Sequence, residues 1–142
     1  MTTGFQVTFD AADPEKLSAF WAQALGYVRE SPPDGHKTWE SFLREAGVPK
    51  EEWGAASAVV DPQGALPRIY FQRVAEQKAG KNRVHLDINC SLNLSGANGR
   101  EIVDVEVARL VDLGATVVEP FEEGDEYWVV MQDPEGNEFC VQ

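Results

Sequence analysis

Apolar and polar residues alternate from Phe5 to Asp10, with Phe5, Val7 and Phe9 on one side and Gln6, Thr8 and Asp10 on the other. A period of two predicts a strand with one face in a core. The period then changes. Leu17, Phe20, Trp21, Ala24 and Leu25 recur at helical spacing. Asp13 suits the N-cap of that helix, Pro14 its first position and Glu15 its dipole, and Gly26 stops it. Ser31 to Lys37 holds Pro-Pro-Asp-Gly and predicts a turn. Thr38 would cap a short helix carrying Trp39, Phe42, Leu43 and Ala46, closed by Gly47, and Pro49 to Trp53 predicts one more helical turn. Ala58 to Val60 and Arg68 to Val74 predict strands on either side of an Asp61-Pro62-Gln63-Gly64 turn.

The pattern restarts after a polar stretch, Glu76 to Asn82. From Arg83 to Cys90, Val84, Leu86, Ile88 and Cys90 alternate with His85, Asp87 and Asn89. Leu92 to Gly99 predicts a loop. Val103, Val107, Leu110 and Val111 predict a helix ending at Gly114, and Ala115 to Glu119 and Tyr127 to Gln132 predict strands. Asp133-Pro134-Glu135-Gly136 predicts a turn, with Glu138 to Gln142 as the last strand. Both halves therefore run strand, helix, strand, strand, Asp-Pro-x-Gly turn, strand. This order predicts an α+β fold of two tandem βαβββ modules, residues 1–75 and 83–142, joined by a linker at 76–82. A unit of this kind covers one sheet face with its helix. Two such sheets would form a curved, partly closed mixed sheet around a central pocket.

Strand geometry says which residues face away from the helices. They are Gln6, Thr8 and Asp10; Tyr70 and Gln72; His85, Asp87 and Asn89; and Glu138, Cys140 and Gln142. An outer solvated face would carry more Lys and Glu than this set does. His85 beside Asp87 or Glu138 would suit a general base, since imidazole changes charge near neutrality. Cys140 would suit a nucleophile only if a neighbour lowered its pKa. Lys78, Lys81 and Arg83 would either draw an anionic substrate or pair with acidic neighbours, and Arg83 would also reach the Asp133 turn. Trp39 and Trp53 in the Thr38 to Trp53 insertion would form either an apolar lid or a satellite core.

The layout resembles the vicinal oxygen chelate superfamily, which includes glyoxalase I, bleomycin-resistance proteins and extradiol dioxygenases. The likeness rests on Asp13-Pro14 leading into Phe20-Trp21 and Leu25-Gly26-Tyr27, on Leu113-Gly114-Ala115, and on Asp133 to Asn137. Lys81 to Asp87 is similar to a glyoxalase-like branch whose reactions are mostly unassigned. The Thr38 to Trp53 segment lies outside the resemblance. The resemblance implies metal ligands on four strands, at places that hold Gln6, Gln72, His85 and Cys140 here. His85 matches and Gln6 is an accepted variant, whereas Gln72 and Cys140 depart from the Glu usual there. It implies no cofactor or one divalent metal, with His85 and Gln6 as candidate ligands. His85 and Glu138 are the candidate catalytic residues. Gln6, Thr8, Tyr70, Gln72, Asp87, Cys140, Arg83, Trp39 and Trp53 are the candidate ligand-binding residues. An enzyme acting on a small oxygenated or electrophilic metabolite is the first function implied, and a metal-free small-molecule binding protein of the bleomycin-resistance type is the second. The resemblance also implies a homodimer.

Composition narrows the partners. A formal net charge of −12 argues against nucleic-acid backbones and anionic membrane surfaces. No stretch approaches the roughly 20 apolar residues of a membrane span. No signal sequence is expected at the N-terminus, and two cysteines, Cys90 and Cys140, fit reduced thiols in a cytoplasmic protein.

Overall fold

Helix α1 (Pro14–Leu25) forms where its end signals place it. Asp13 accepts the Lys16 N–H at 3.1 Å, Pro14 opens the first turn, and Gly26 closes the last. Leu17, Phe20, Trp21 and Ala24 make the buried stripe. The chain is described here by a computed structural model that covers residues 1–92 and 96–142. It divides into two compact units, Met1–Gln77 and Lys78–Gln142.

In the first unit, α1 packs on a four-stranded sheet built from β1 (Val7–Ala11), β2 (Val28–Arg29), β3 (Ala56–Val60) and β4 (Ile69–Arg73). The strand order is β1-β4-β3-β2, with β1 parallel to β4 and the other pairs antiparallel. Phe9 meets the Trp21 ring edge-on at 5.4 Å and Phe71 at 5.2 Å. Ser18 and Ser57 satisfy each other at 2.8 Å, so their burial leaves no unpaired hydroxyl. The insertion forms helix α2 (Trp39–Glu45), capped by Thr38, and a short 3₁₀ turn at Lys50–Glu52.

The second unit repeats this plan. It holds β5 (Asp87–Ile88), α3 (Gly96–Leu113), β6 (Thr116–Glu123), β7 (Glu126–Gln132) and β8 (Glu138–Val141). The order is β5-β8-β7-β6, and β5 is parallel to β8. α3 lies on β7 and β8, and the core includes Val103, Leu110, Met131, Phe139 and Val141.

Several expectations are corrected. Phe5 is 73% exposed, because pairing with β4 begins only at Val7. Val28 and Arg29 pair with β3, although two residues are too few for a visible alternation. β5 is shorter than expected and Val84 is exposed. Pairing nevertheless extends past β5, because Cys140 and Gln142 donate to Leu86 and Ile88, and Cys90 donates back to Gln142. α3 starts at Gly96, within the stretch read as a loop, while residues 93–95 of that stretch lie outside the described residues. Its Gly- and Asn-rich first turn has poor intrinsic helix propensity, which packing overrides. Val111 is exposed rather than buried. β6 continues through Pro120, which an edge strand tolerates because one side of its backbone is unpaired.

The repeated turns share one mechanism. Asp61 accepts N–H groups from Gln63, Ala65 and Leu66, and Asp133 accepts those of Glu135 and Asn137 together with the Asn137 amide. Gly64 and Gly136 take φ of 70° and 85°, where a side chain would be strained. The two carboxylates differ in burial, and Asp133 is only 3% exposed. We therefore expect Asp133→Ala to cost about 3 kcal/mol in urea unfolding, since buried N–H groups lose a charged acceptor. The more exposed Asp61→Ala should cost clearly less, and equal losses would contradict this account.

Candidate functional site

In the second unit, parallel pairing sets Asp87 directly beside Cys140. His85 precedes Asp87 by two residues, and its Nδ1 lies 2.9 Å from Asp87 Oδ1. Among the described residues these three form one group of metal-capable side chains, their ligand atoms all within 4.8 Å of one another. His85 and Asp87 are exposed and Cys140 is half-buried. Burial, then the Asp87 charge and a hydrogen bond to it, push the Cys140 thiol up to about 11, with Lys81 opposing. Cys140 is therefore a protonated donor to Asp87 and not an activated nucleophile. Cys90, also free, is raised by burial and by Glu106.

Glu138, a candidate catalytic residue, is held by groups outside this cluster. Lys78 contacts its carboxylate at 3.1 Å and the Asn82 N–H donates to it at 2.9 Å. Burial opposes its ionisation, but the Asn82 N–H, its own backbone N–H and Lys78 outweigh burial and lower its pKa to about 2. A carboxylate that stays ionised this far into acid is a poor proton acceptor near neutrality. It acts as a latch that holds the segment entering β5. Lys78 is thereby an ion-pair partner and also bonds the Gly80 carbonyl, while Arg83 is exposed. The Asp133 carboxylate is filled by its own turn.

The first unit carries the same ladder with other chemistry. Thr8 pairs with Tyr70 and Asp10 with Gln72. Asp10 accepts from the Gln72 amide at 2.8 Å, as Asn89 accepts from Gln142 at 2.8 Å. Matching the ladders puts Gln6 at the place of His85, Thr8 at that of Asp87 and Tyr70 at that of Cys140. Gln72 thus corresponds to Gln142 and not to Cys140, because the connection after the first turn is longer. Arg68 donates to Gln6 Oε1 at 3.0 Å and to Glu30 at 2.7 Å, and its guanidinium lies over Tyr70 at 5.3 Å. The oxygen expected to ligate a metal from Gln6 is thus bound to a cation already. Arg68 was missed in the sequence although it lies one period before Tyr70, just ahead of β4.

Trp39 and Trp53 donate their indole N–H groups to Glu30 and Val48 carbonyls at 2.8 and 2.9 Å. Trp39 also meets Phe42, and Arg44 lies over Trp53. Trp39 thereby ties the insertion to the backbone at Glu30, and Trp53 closes on Val48 within it.

Residues 6–142 match the model of the glyoxalase-like domain. The chain belongs to the glyoxalase-like domain family. That family match, with a fold that agrees, places it in the vicinal oxygen chelate superfamily. The glyoxalase-like chain is similar to a glyoxalase/bleomycin resistance/dioxygenase family enzyme from Burkholderia phytofirmans PsJN, at 19% identity and TM-score 0.62, covering 96% of this chain and 94% of that one. It is similar to a possible glyoxalase from Bacillus cereus at 15% identity and TM-score 0.62, covering 100% and 99%. It is also similar to the fosfomycin resistance protein FosX from Listeria monocytogenes, complexed with Mn(II) and 1S,2S-dihydroxypropylphosphonic acid, at 12% identity and TM-score 0.63, covering 100% and 90%. No curated protein matches. Among the described residues, no helix is long and apolar enough to cross a membrane.

Donor chemistry decides whether a metal fits. Metal bonds of roughly 2.0–2.3 Å place the ligand atoms of a tetrahedral ion roughly 3.3–3.8 Å apart. The second unit's imidazole, carboxylate and thiol have ligand atoms within 4.8 Å of one another, and donors of these types suit a borderline divalent ion. Gln6, held by Arg68, does not.

The Glu138 latch has a pH signature. Its depressed pKa means that its stabilisation is complete above about pH 4.5 and fades as pH falls towards 2. Glu138→Gln should lower stability near neutrality by about 2 kcal/mol. The gap between variant and wild type in urea titrations should close as pH falls from 4.5 towards 2. A gap independent of pH would contradict the latch.

Proposed function

We propose that this chain is an enzyme acting on a small oxygenated or electrophilic metabolite at the polar sheet face of its second unit. The cluster of His85, Asp87 and Cys140 carries this reading. The family and the FosX-like fold support an enzyme, and the printed Mn(II) complex of FosX supports one divalent ion as cofactor.

The residues that would hold the ion are His85, Asp87 and Cys140. A bound divalent ion would supply Lewis-acid polarisation of a substrate oxygen. Asp87 holds His85 in place through the 2.9 Å contact at Nδ1. Lys81, whose charge acts on Cys140, favours a ligand with an anionic or strongly polar group beside the cluster. The strand pair beneath holds all of these on a backbone fixed by hydrogen bonds.

A second reading, metal-free binding of a small cationic molecule, is favoured by the net charge of −12. Two experiments separate the readings. The purified full chain should consume a member of a panel of epoxides and 2-oxoaldehydes. His85→Ala should lower kcat/KM at least about 100-fold and Asp87→Asn about 10- to 100-fold. Turnover unaffected by either change would defeat the proposal. A compound that raises Tm without being consumed would favour binding alone.

We also propose a cytoplasmic homodimer. The edge strand β6 supports it, since all eight of its residues are exposed, Val117, Val118 and Phe121 among them. Light scattering should give twice the mass of one chain, and a monomeric mass would remove the dimer.

A further inference from the structure

Two of the three donors lie on the neighbouring strands β5 and β8, and the third lies on the segment that enters β5. Asp87 and Cys140 are register partners, and His85 lies one period before Asp87. Strand pairing sets Asp87 beside Cys140, and the His85–Asp87 contact completes a group whose imidazole nitrogen, carboxylate oxygen and sulfur lie within 4.8 Å of one another. The first unit acts as an internal control. Its ladder is the same, but Gln6, Thr8 and Tyr70 stand at the three places, and Arg68 fills the space with its own charge. The donors of the second unit are thus a property of its side chains and not of the sheet.

The donor types set the preference for metal. Thiolate sulfur favours borderline and soft ions, whereas Mn(II) and Mg(II) prefer oxygen. One thiolate and one carboxylate would also neutralise a divalent charge while imidazole stays neutral.

We propose that His85, Asp87 and Cys140 form a thiolate-containing site that takes zinc or a similar thiophilic divalent ion in preference to Mn(II) or Mg(II). This rests on the placement of the functional site above and adds the identity of its ion. On binding, the Cys140 S–H bond breaks, a sulfur–metal bond forms and the proton passes to solvent. No electron is transferred. Asp87, which accepts the S–H in the metal-free state, becomes free to ligate. Three protein donors leave a fourth tetrahedral position for a substrate oxygen or water.

Cobalt(II) is a suitable probe, because a thiolate ligand gives near-ultraviolet sulfur-to-cobalt charge-transfer absorption. Titration of the full chain with Co(II) should produce this band at one equivalent, and Zn(II) should abolish it. An excess of Mn(II) should leave it unchanged. Cys140→Ser should remove the band, and Asp87→Asn should weaken Co(II) binding at least about tenfold. The chain has two cysteines, so Cys90→Ser leaves Cys140 as the sole thiol. That variant should keep the band, and it decides the matter even where Cys140→Ser fails to fold. Absence of the band in wild type, its loss in Cys90→Ser or its displacement by Mn(II) would overturn the proposal. The readout needs no substrate. Turnover without a thiolate band would sink this inference alone, and a band without turnover would sink the enzyme alone.

Discussion

The parallel pairing of the first and last strands of each unit is the constraint from which the rest follows. Parallel neighbours cannot be joined by a tight hairpin, so the chain must cross over, and a helix makes that crossing. The helix then covers one sheet face and leaves the other to polar side chains. β1 beside β4 and β5 beside β8 fix which of those side chains are neighbours. His85, Asp87 and Cys140 meet for this reason, although 55 positions separate the first from the last.

The crossover also explains why the Asp-Pro-x-Gly turns matter. Each turn delivers the last strand into the middle of its sheet, between the first strand and the third. A carboxylate gathering several backbone N–H groups fixes the angle of entry, and a residue with positive φ completes the reversal. Register follows from the length of chain after the turn. The first unit spends more residues there than the second, which is why Gln72 and Cys140 occupy different rungs despite similar distances from their strand ends.

Much of the fold was legible in the sequence because its signals are local. Asp13, Pro14 and Gly26 bound α1, and alternation marks the polar face of β1 and of the β5 region. Short or irregular pieces were not legible. β2 is too short for a period, and the first turn of α3 is written in residues that disfavour helix. For the site, alternation put His85, Asp87 and Cys140 on the same kind of face, but only the register makes Asp87 the neighbour of Cys140. The task of Glu138 was hidden because its partners, Lys78 and the Asn82 N–H, lie almost 60 residues away in sequence. Arg68 was hidden because its significance depends on Gln6 and Glu30, both distant along the chain.

Arg68 gives the duplication an asymmetric outcome. Its positive charge is tethered by a covalent side chain, so it never has to be captured from the medium and never dissociates. The carboxylate of Glu30 and the amide of Gln6 are balanced at the moment of folding, whatever ions surround the protein. One half of the repeat is thus self-sufficient in charge. The other half sets a carboxylate and a thiol beside an imidazole, with Lys81 acting on the thiol from nearby.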